Sequence, residues 1–227
     1  MSIAEKLQII AENEKKVYEA GKQAEYDVFW DVFQDGGNRT NYNTVFNEYW
    51  NETNFKPKYD IKIVGGGKEI FYNCKISDLE KILNNCGVTL DTSGMTTTET
   101  IFGGSSLKVL PVLDFSNVTS IYYTFNNCHT LHTIRKIILP KTAVDCSAYF
   151  FNNCYELTNV VFEGTLYRNF KAHAPKLSHD SLISLINALA DYSGTSTTYT
   201  CSIGTTNLAK LTDEEKAIAT QKGWTLA

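Results

Sequence analysis

Three stretches of this 227-residue chain carry residue types that could do chemistry. Cys128-His129-x-x-His132 offers one thiol and two imidazoles, the ligand types of zinc. Zinc needs about four ligands converging on one point. Here Cys128 falls on a core position, His129 in a variable turn and His132 just after a leucine, so the three diverge. His179-Asp180-Ser181 has the composition of a hydrolytic triad. Neighbours on one helix cannot form the nucleophile–base–carboxylate relay, and no Gly-x-Ser-x-Gly elbow exists. Val64-Gly65-Gly66-Gly67-Lys68 suggests a phosphate loop but lacks its spacing and the Ser or Thr after the lysine. A flexible junction is expected there instead. Asp and Glu are scattered, and nothing selects a pair for glycoside cleavage. The expectation is a protein with no catalytic residues, no metal and no cofactor.

The elements that would position these residues are repeats. Phe125-Asn126-Asn127-Cys128-His129-Thr130-Leu131 recurs as Phe151-Asn152-Asn153-Cys154-Tyr155-Glu156-Leu157, offset by 26 residues. A weaker copy is Phe102-Gly103-Gly104-Ser105-Ser106-Leu107, and a fainter one Leu83-Asn84-Asn85-Cys86. Apolar runs follow the clear copies, as in Ile134 to Leu139, and their β-branched residues suit short strands. Asn pairs suit tight turns. Phe and Leu fill an interior, and Cys behaves there as a small buried apolar residue. A self-similar period of roughly 20–50 residues predicts units that stack, because none can bury its apolar side alone.

Phe125, Cys128, Leu131, Ile134, Ile138 and Pro140 resemble the BspA-type leucine-rich repeat, and so do Phe151, Cys154, Leu157, Val160 and Phe162. The likeness covers about residues 83 to 170. It implies a stacked solenoid and a role in binding other molecules. The family offers no catalytic residues to carry over.

Composition narrows the function classes. The net charge is −4 and the lysines are scattered, so no nucleic-acid surface is expected. There are 13 Tyr and 12 Phe, and tyrosine gives large contact area at low entropic cost. Cys86, Cys128 and Cys154 occupy equivalent repeat positions, which predicts reduced core thiols rather than disulfides. No signal peptide or membrane-spanning stretch is evident, so membrane insertion is not expected.

Residues 2 to about 34 read as one long helix. Ile3, Leu7, Ile10, Val17, Ala24 and Val28 form a heptad seam interrupted by Glu14 and Gly21. The seam predicts either self-association, with a trimer favoured, or packing on another surface. Tyr49, Trp50 and Phe55 belong to an aromatic cluster that needs a partner, either the repeats or another chain. The opening from Ile3 to Ile61 resembles the shared leader of phage and prophage tail-associated proteins of gut Gram-positive bacteria. That implies attachment to other tail proteins through residues 1–60 and location in a virion. After the repeats, Ser178 caps a helix, Tyr199 to Ile203 suits a strand, and Thr212-Asp213-Glu214-Glu215 is a capping box.

The expected fold is α+β, with a long N-terminal helix, a short repeat solenoid and a helical C-terminal cap. The expected divisions are 1–60 leader, 61–176 repeats and 177–227 cap. The resemblances imply a non-enzymatic tail or baseplate protein binding a host-surface glycan or protein. The candidate contacts are the variable-turn residues Tyr122, Tyr123, His129, Tyr149, Tyr155 and Tyr167. A bacterial surface adhesin and a purely architectural virion protein are the alternatives.

Overall fold

The structure, a computed structural model, describes residues 46, 50–66, 69–144 and 146–227. Ile3, Leu7, Ile10, Val17, Ala24, Val28 and Tyr49 lie outside the described residues, as does the helix expected over 2–34.

The described chain is mostly parallel strand. Strand β1 (Ile61–Gly66) pairs with β2 (Leu90–Thr97). Strands β3 (Val109–Asp114), β4 (Thr133–Ile138) and β6 (Asn159–Glu163) form a second sheet. Strands β5 (Cys146–Phe151), β7 (Phe170–Ala172), β8 (Tyr199–Ser202) and β9 (Trp224–Leu226) form a third. Every paired register is parallel. The helices are short: α1 (Leu79–Cys86), α2 (His179–Ala188), α3 (Thr205–Leu208) and α4 (Asp213–Gln221).

This corrects the expected α+β class. Among the described residues no helix exceeds ten residues. Nor does one uniform ladder run through them as in the expected solenoid. The strands divide among three sheets, with β4 and β6 in one while β5, which lies between them in the chain, pairs with β7 in another. The C-terminal part is not a separate helical cap either, since β8 and β9 extend the sheet that β5 and β7 begin. The Gly-rich junction is also corrected: Val64 to Gly66 finish strand β1, with Gly65 opposite Met95 and Gly66 opposite Thr97.

Leu83-Asn84-Asn85-Cys86 is helix, not a repeat turn. Asp78 caps it by accepting from the Lys81 amide at 2.9 Å. Gly87 ends it at φ 68°, a left-handed angle that glycine adopts without steric cost. The true early copy is Phe71-Tyr72-Asn73-Cys74. Its amides bond forward, Phe71 N–H to the Ile101 carbonyl and Asn73 N–H to the Gly103 carbonyl. The next units do the same, as from Phe102 to Thr124 and from Phe125 to Phe150.

The turns stack around a column of five rings. Phe46, Phe71, Phe102, Phe125 and Phe151 follow one another at centroid spacings of 5.0, 5.5, 5.3 and 5.1 Å. All five are fully buried. Stacked pairs in this range contribute about 0.5–1.5 kcal/mol each beyond their buried area. Trp50 and Phe55 pack edge-on to Phe46 at 6.0 and 5.1 Å. Their rings therefore lie in this chain's own core rather than on an outward interface.

The three-stranded sheet is closed along β6 by helix α2. Two serines one turn apart face that edge. Ser181 Oγ accepts from the Val160 amide at 2.9 Å and donates to the Thr158 carbonyl at 3.2 Å. Ser184 Oγ accepts from the Phe162 amide at 2.8 Å and donates to the Phe162 carbonyl at 3.3 Å. Side chains thus replace the missing neighbour strand and keep the edge from pairing elsewhere. In α4 the Thr212 capping box forms, with Glu215 N–H donating to Thr212 Oγ1 and Thr212 N–H donating to Glu215 Oε2.

Candidate functional site

One backbone device recurs in every turn and fixes where side chains can reach solvent. Asn73, Gly104, Asn127 and Asn153 are left-handed, with φ of 55°, 65°, 58° and 56°. Asn and Gly tolerate this region better than other residues. At position 104 a Cβ would sit 2.2 Å from Asn73 Oδ1, so that side chain would have to swing aside. Glu69, Thr100 and Tyr123 take the same angle four residues earlier.

The asparagines bond each other from turn to turn. Asn152 Nδ2 donates to Asn126 Oδ1 at 2.6 Å, and Asn153 Nδ2 donates to Asn127 Oδ1 at 2.8 Å. The following cysteines point inward. Cys128 Sγ donates to the Phe102 carbonyl at 3.0 Å and Cys154 Sγ to the Phe125 carbonyl at 3.1 Å. Cys74, Ser105, Cys128 and Cys154 hold this place, so the column uses Cys74 where the sequence pattern suggested Cys86. None of the six cysteines is in a disulfide. Burial pushes Cys74 and Cys201 up to about 12, and Cys154 well above the usual thiol range. They are neutral packing groups at physiological pH.

Just past each inward cysteine the chain turns out. His129 and Tyr155 occupy this position in successive turns, and their rings stack with centroids 5.7 Å apart and planes 11° from parallel. Both are exposed, Tyr155 by 45%. The pair is pinned from beneath. Tyr155 Oη donates to Asn153 Oδ1 at 2.7 Å, while His129 Nδ1 lies 3.1 Å from the Asn153 carbonyl. A ring with these anchors loses little freedom on binding, which is preorganisation.

The other expected contacts separate. Tyr122 and Tyr123 meet edge-on at 4.2 Å, in the turn that precedes Phe125. The hydrogen bond that the neutral Tyr123 phenol shares with Tyr122 raises it above its ordinary range. Tyr149 lies on strand β5. Tyr167 is half-buried, and its carbonyl accepts from the Tyr192 hydroxyl at 2.8 Å. Among the described side chains, the candidates thus include two aromatic pairs, Tyr122–Tyr123 and His129–Tyr155.

The groupings with catalytic composition also separate. Cys128 faces inward, His129 outward, and His132 Nδ1 lies 3.1 Å from Thr158 Oγ1. Among the described residues no group of three or more His, Cys, Asp or Glu could hold a metal ion. Ser181 is taken up by the β6 edge, while His179 Nε2 lies 2.8 Å from Glu215 Oε1. No relay from serine to histidine exists in that arrangement.

Two cavities are formed among the described residues near these elements. One of about 390 Å³ lies between the start of α1 and β3 and is lined by Glu52, Asp78, Lys81 and Lys108. Burial opposes the charge on Glu52, but hydrogen bonds from Ser77 and the Lys108 ammonium outweigh it and hold the carboxyl below its usual range. The second, of about 230 Å³, adjoins Tyr155 and is lined also by His173, Pro175, Thr205 and Thr206. No spacing pointed to those residues. Parallel pairing of Phe170 with Cys201 brings the segment beyond β7 beside the one beyond β8. Among the described residues no helix is long and apolar enough to cross a membrane. No family model, no curated protein and no solved structure matches the chain.

Proposed function

We propose that this chain is a non-enzymatic structural protein of a phage or prophage tail, and that its row of turns binds a glycan on the host surface. The observation that carries the binding half is the exposed His129–Tyr155 stack, held through Asn153 by the asparagine ladder. Flat aromatic surface suits the apolar face of a sugar ring, and a pinned ring is ordered before the ligand arrives. The diverging side chains of the two catalytic-looking stretches support a non-catalytic role. The tail location rests on the resemblance of residues 3–61.

The binding half is tested with labelled full-length chain and whole cells of a panel of gut Gram-positive isolates. Retention on at least one isolate is expected, falling about tenfold when His129 and Tyr155 are both changed to Ala. Retention of the double variant at the wild-type level overturns it. The particle half is tested by mass spectrometry of purified tails, where absence of the chain overturns it. Assembly through the leader predicts a trimer by light scattering of the full chain, and a monomer once Ile10 and Val17 are changed to Asp. A monomeric wild type removes the seam from the reading.

A further inference from the structure

We infer that the recess beside Tyr155 takes a single neutral pyranose ring at the end of a polysaccharide. This deepens the reading that the turns bind a host-surface glycan, and it rests on that reading. Size is the first argument. The recess holds about 230 Å³. That is below the roughly 300–1,000 Å³ of sites for drug-sized ligands, so it suits one ring rather than two.

The lining matches the two faces of a sugar. Pro175 is half-buried and apolar and offers a surface for ring C–H groups, over a floor of buried Ala174 and Ile203. Thr205, Thr206 and His173 are exposed and offer hydroxyl and imidazole groups that bond sugar hydroxyls. Tyr155 belongs both to this recess and to the stack with His129, so a chain entering the recess crosses the aromatic pair.

Charge sets the class. Among the described residues, no carboxylate, lysine or arginine lines the recess. Of the charged groups that flank the lining, Lys171 lies on strand β7, Glu156 and Lys176 bond each other, with Lys176 Nζ 2.7 and 2.8 Å from the two carboxylate oxygens, and Lys210 Nζ spends its three protons on the Pro175 and Leu177 carbonyls and Asn207 Oδ1 at 3.0, 2.7 and 2.9 Å. An acidic sugar would lose water there without gaining a fixed counter-charge, which disfavours it.

The test uses the full chain labelled with ¹⁵N, titrated separately with glucose, galactose, N-acetylglucosamine and glucuronate. At least one neutral sugar should shift the amides of His173, Gly204, Thr205 and Thr206 with a dissociation constant of about millimolar, the range for so few atoms. Glucuronate should bind at least about tenfold more weakly. Thr206→Trp, which fills the recess from an exposed position, should abolish the shifts while the remaining spectrum stays folded. Absent shifts with every neutral sugar, or equal shifts with glucuronate, overturn the inference. Whole-cell binding separates it from the broader reading. If wild type and Thr206→Trp bind cells equally, the recess is excluded and the turn row stands. If His129 and Tyr155 prove dispensable for cell binding, the broader reading falls instead.

Discussion

Changing Ser181 to Ala should open the edge that α2 closes. The hydroxyl is 4% exposed and serves the Val160 amide, the Thr158 carbonyl and Ser178 Oγ. Stranding a buried amide costs about 1–3 kcal/mol. Alanine in a helix offsets about 0.5 kcal/mol of that through its higher propensity. The net expectation is a loss of about 1–2 kcal/mol, which lowers Tm by roughly 2–8 °C for a domain of this size. Ser184 is only half-buried, so water can reach the Phe162 amide and the same change there should cost about 0.5 kcal/mol or less. Asn187→Ala, on the exposed face of the same helix, gains propensity without touching the edge and serves as the control. Urea titration gives the stabilities, provided the slopes agree among variants. Amide exchange gives the location, since Val160 should lose protection in the first variant and Phe162 in the second. If Ser181→Ala is as stable as Asn187→Ala and Val160 keeps its protection, side chains do not seal this edge.

Asn153→Ala should cost about 2–4 kcal/mol, combining left-handed strain with loss of the ladder bond and of the bond from Tyr155 Oη, whereas Asn153→Gly should cost about 1–2 kcal/mol because only the two bonds are lost; equal losses by urea titration would remove the backbone contribution. Cys128→Ser should stay within about 1 kcal/mol of wild type, since Ser105 already fills the equivalent place and a hydroxyl can donate to the Phe102 carbonyl. Native protein should show one thiol fast toward a disulfide reagent, the half-buried Cys86, and a second fast thiol would contradict the inward column. Stability should fall in acid: bonds from Thr89 lower Asp60, bonds from Ser193 lower Asp191, and the Thr212 amide followed by His179 lowers Glu215. Lowered carboxyls stabilise the fold above their unfolded pKa near 4, and that contribution is lost as pH falls through the folded values. Tm measured from pH 7 to 3 should drop less steeply in the Asp60→Asn, Asp191→Asn double variant than in wild type, and superimposed curves would refute the assignment.

The part of this architecture carried by adjacent residues was legible in sequence. Phe125 to Leu131 and Phe151 to Leu157 announce their turns because the left-handed Asn, the inward Cys and the filling Leu lie within seven residues. Helix starts at Ser178 and Thr212 were legible for the same reason, since a cap bonds within three positions. Phe71-Tyr72-Asn73-Cys74 was missed although it has the same local chemistry. Leu83-Asn84-Asn85-Cys86 is the more literal match to Asn-Asn-Cys, yet Asp78 and Gly87 bound it as a helix. The flanking caps decide that competition, not the resemblance of the four residues.

Long-range pairing was not legible, and it builds half of the candidate site. His173 and Thr206 become neighbours only because β7 and β8 run parallel across a connection that contains all of α2. The same pairing sets how the two halves of the site respond to change. The aromatic half depends on Asn153, whose left-handed angle and ladder bond also hold the stack of turns, so altering it disturbs the fold. Thr205 and Thr206 are exposed, and their side chains reach solvent beyond the column of rings. Substitutions there can alter which ring fits while the stacked turns stay intact. A fixed platform beside an adjustable recess is a physical arrangement in which ligand preference can change faster than stability, and Tyr155 is the residue that joins the two.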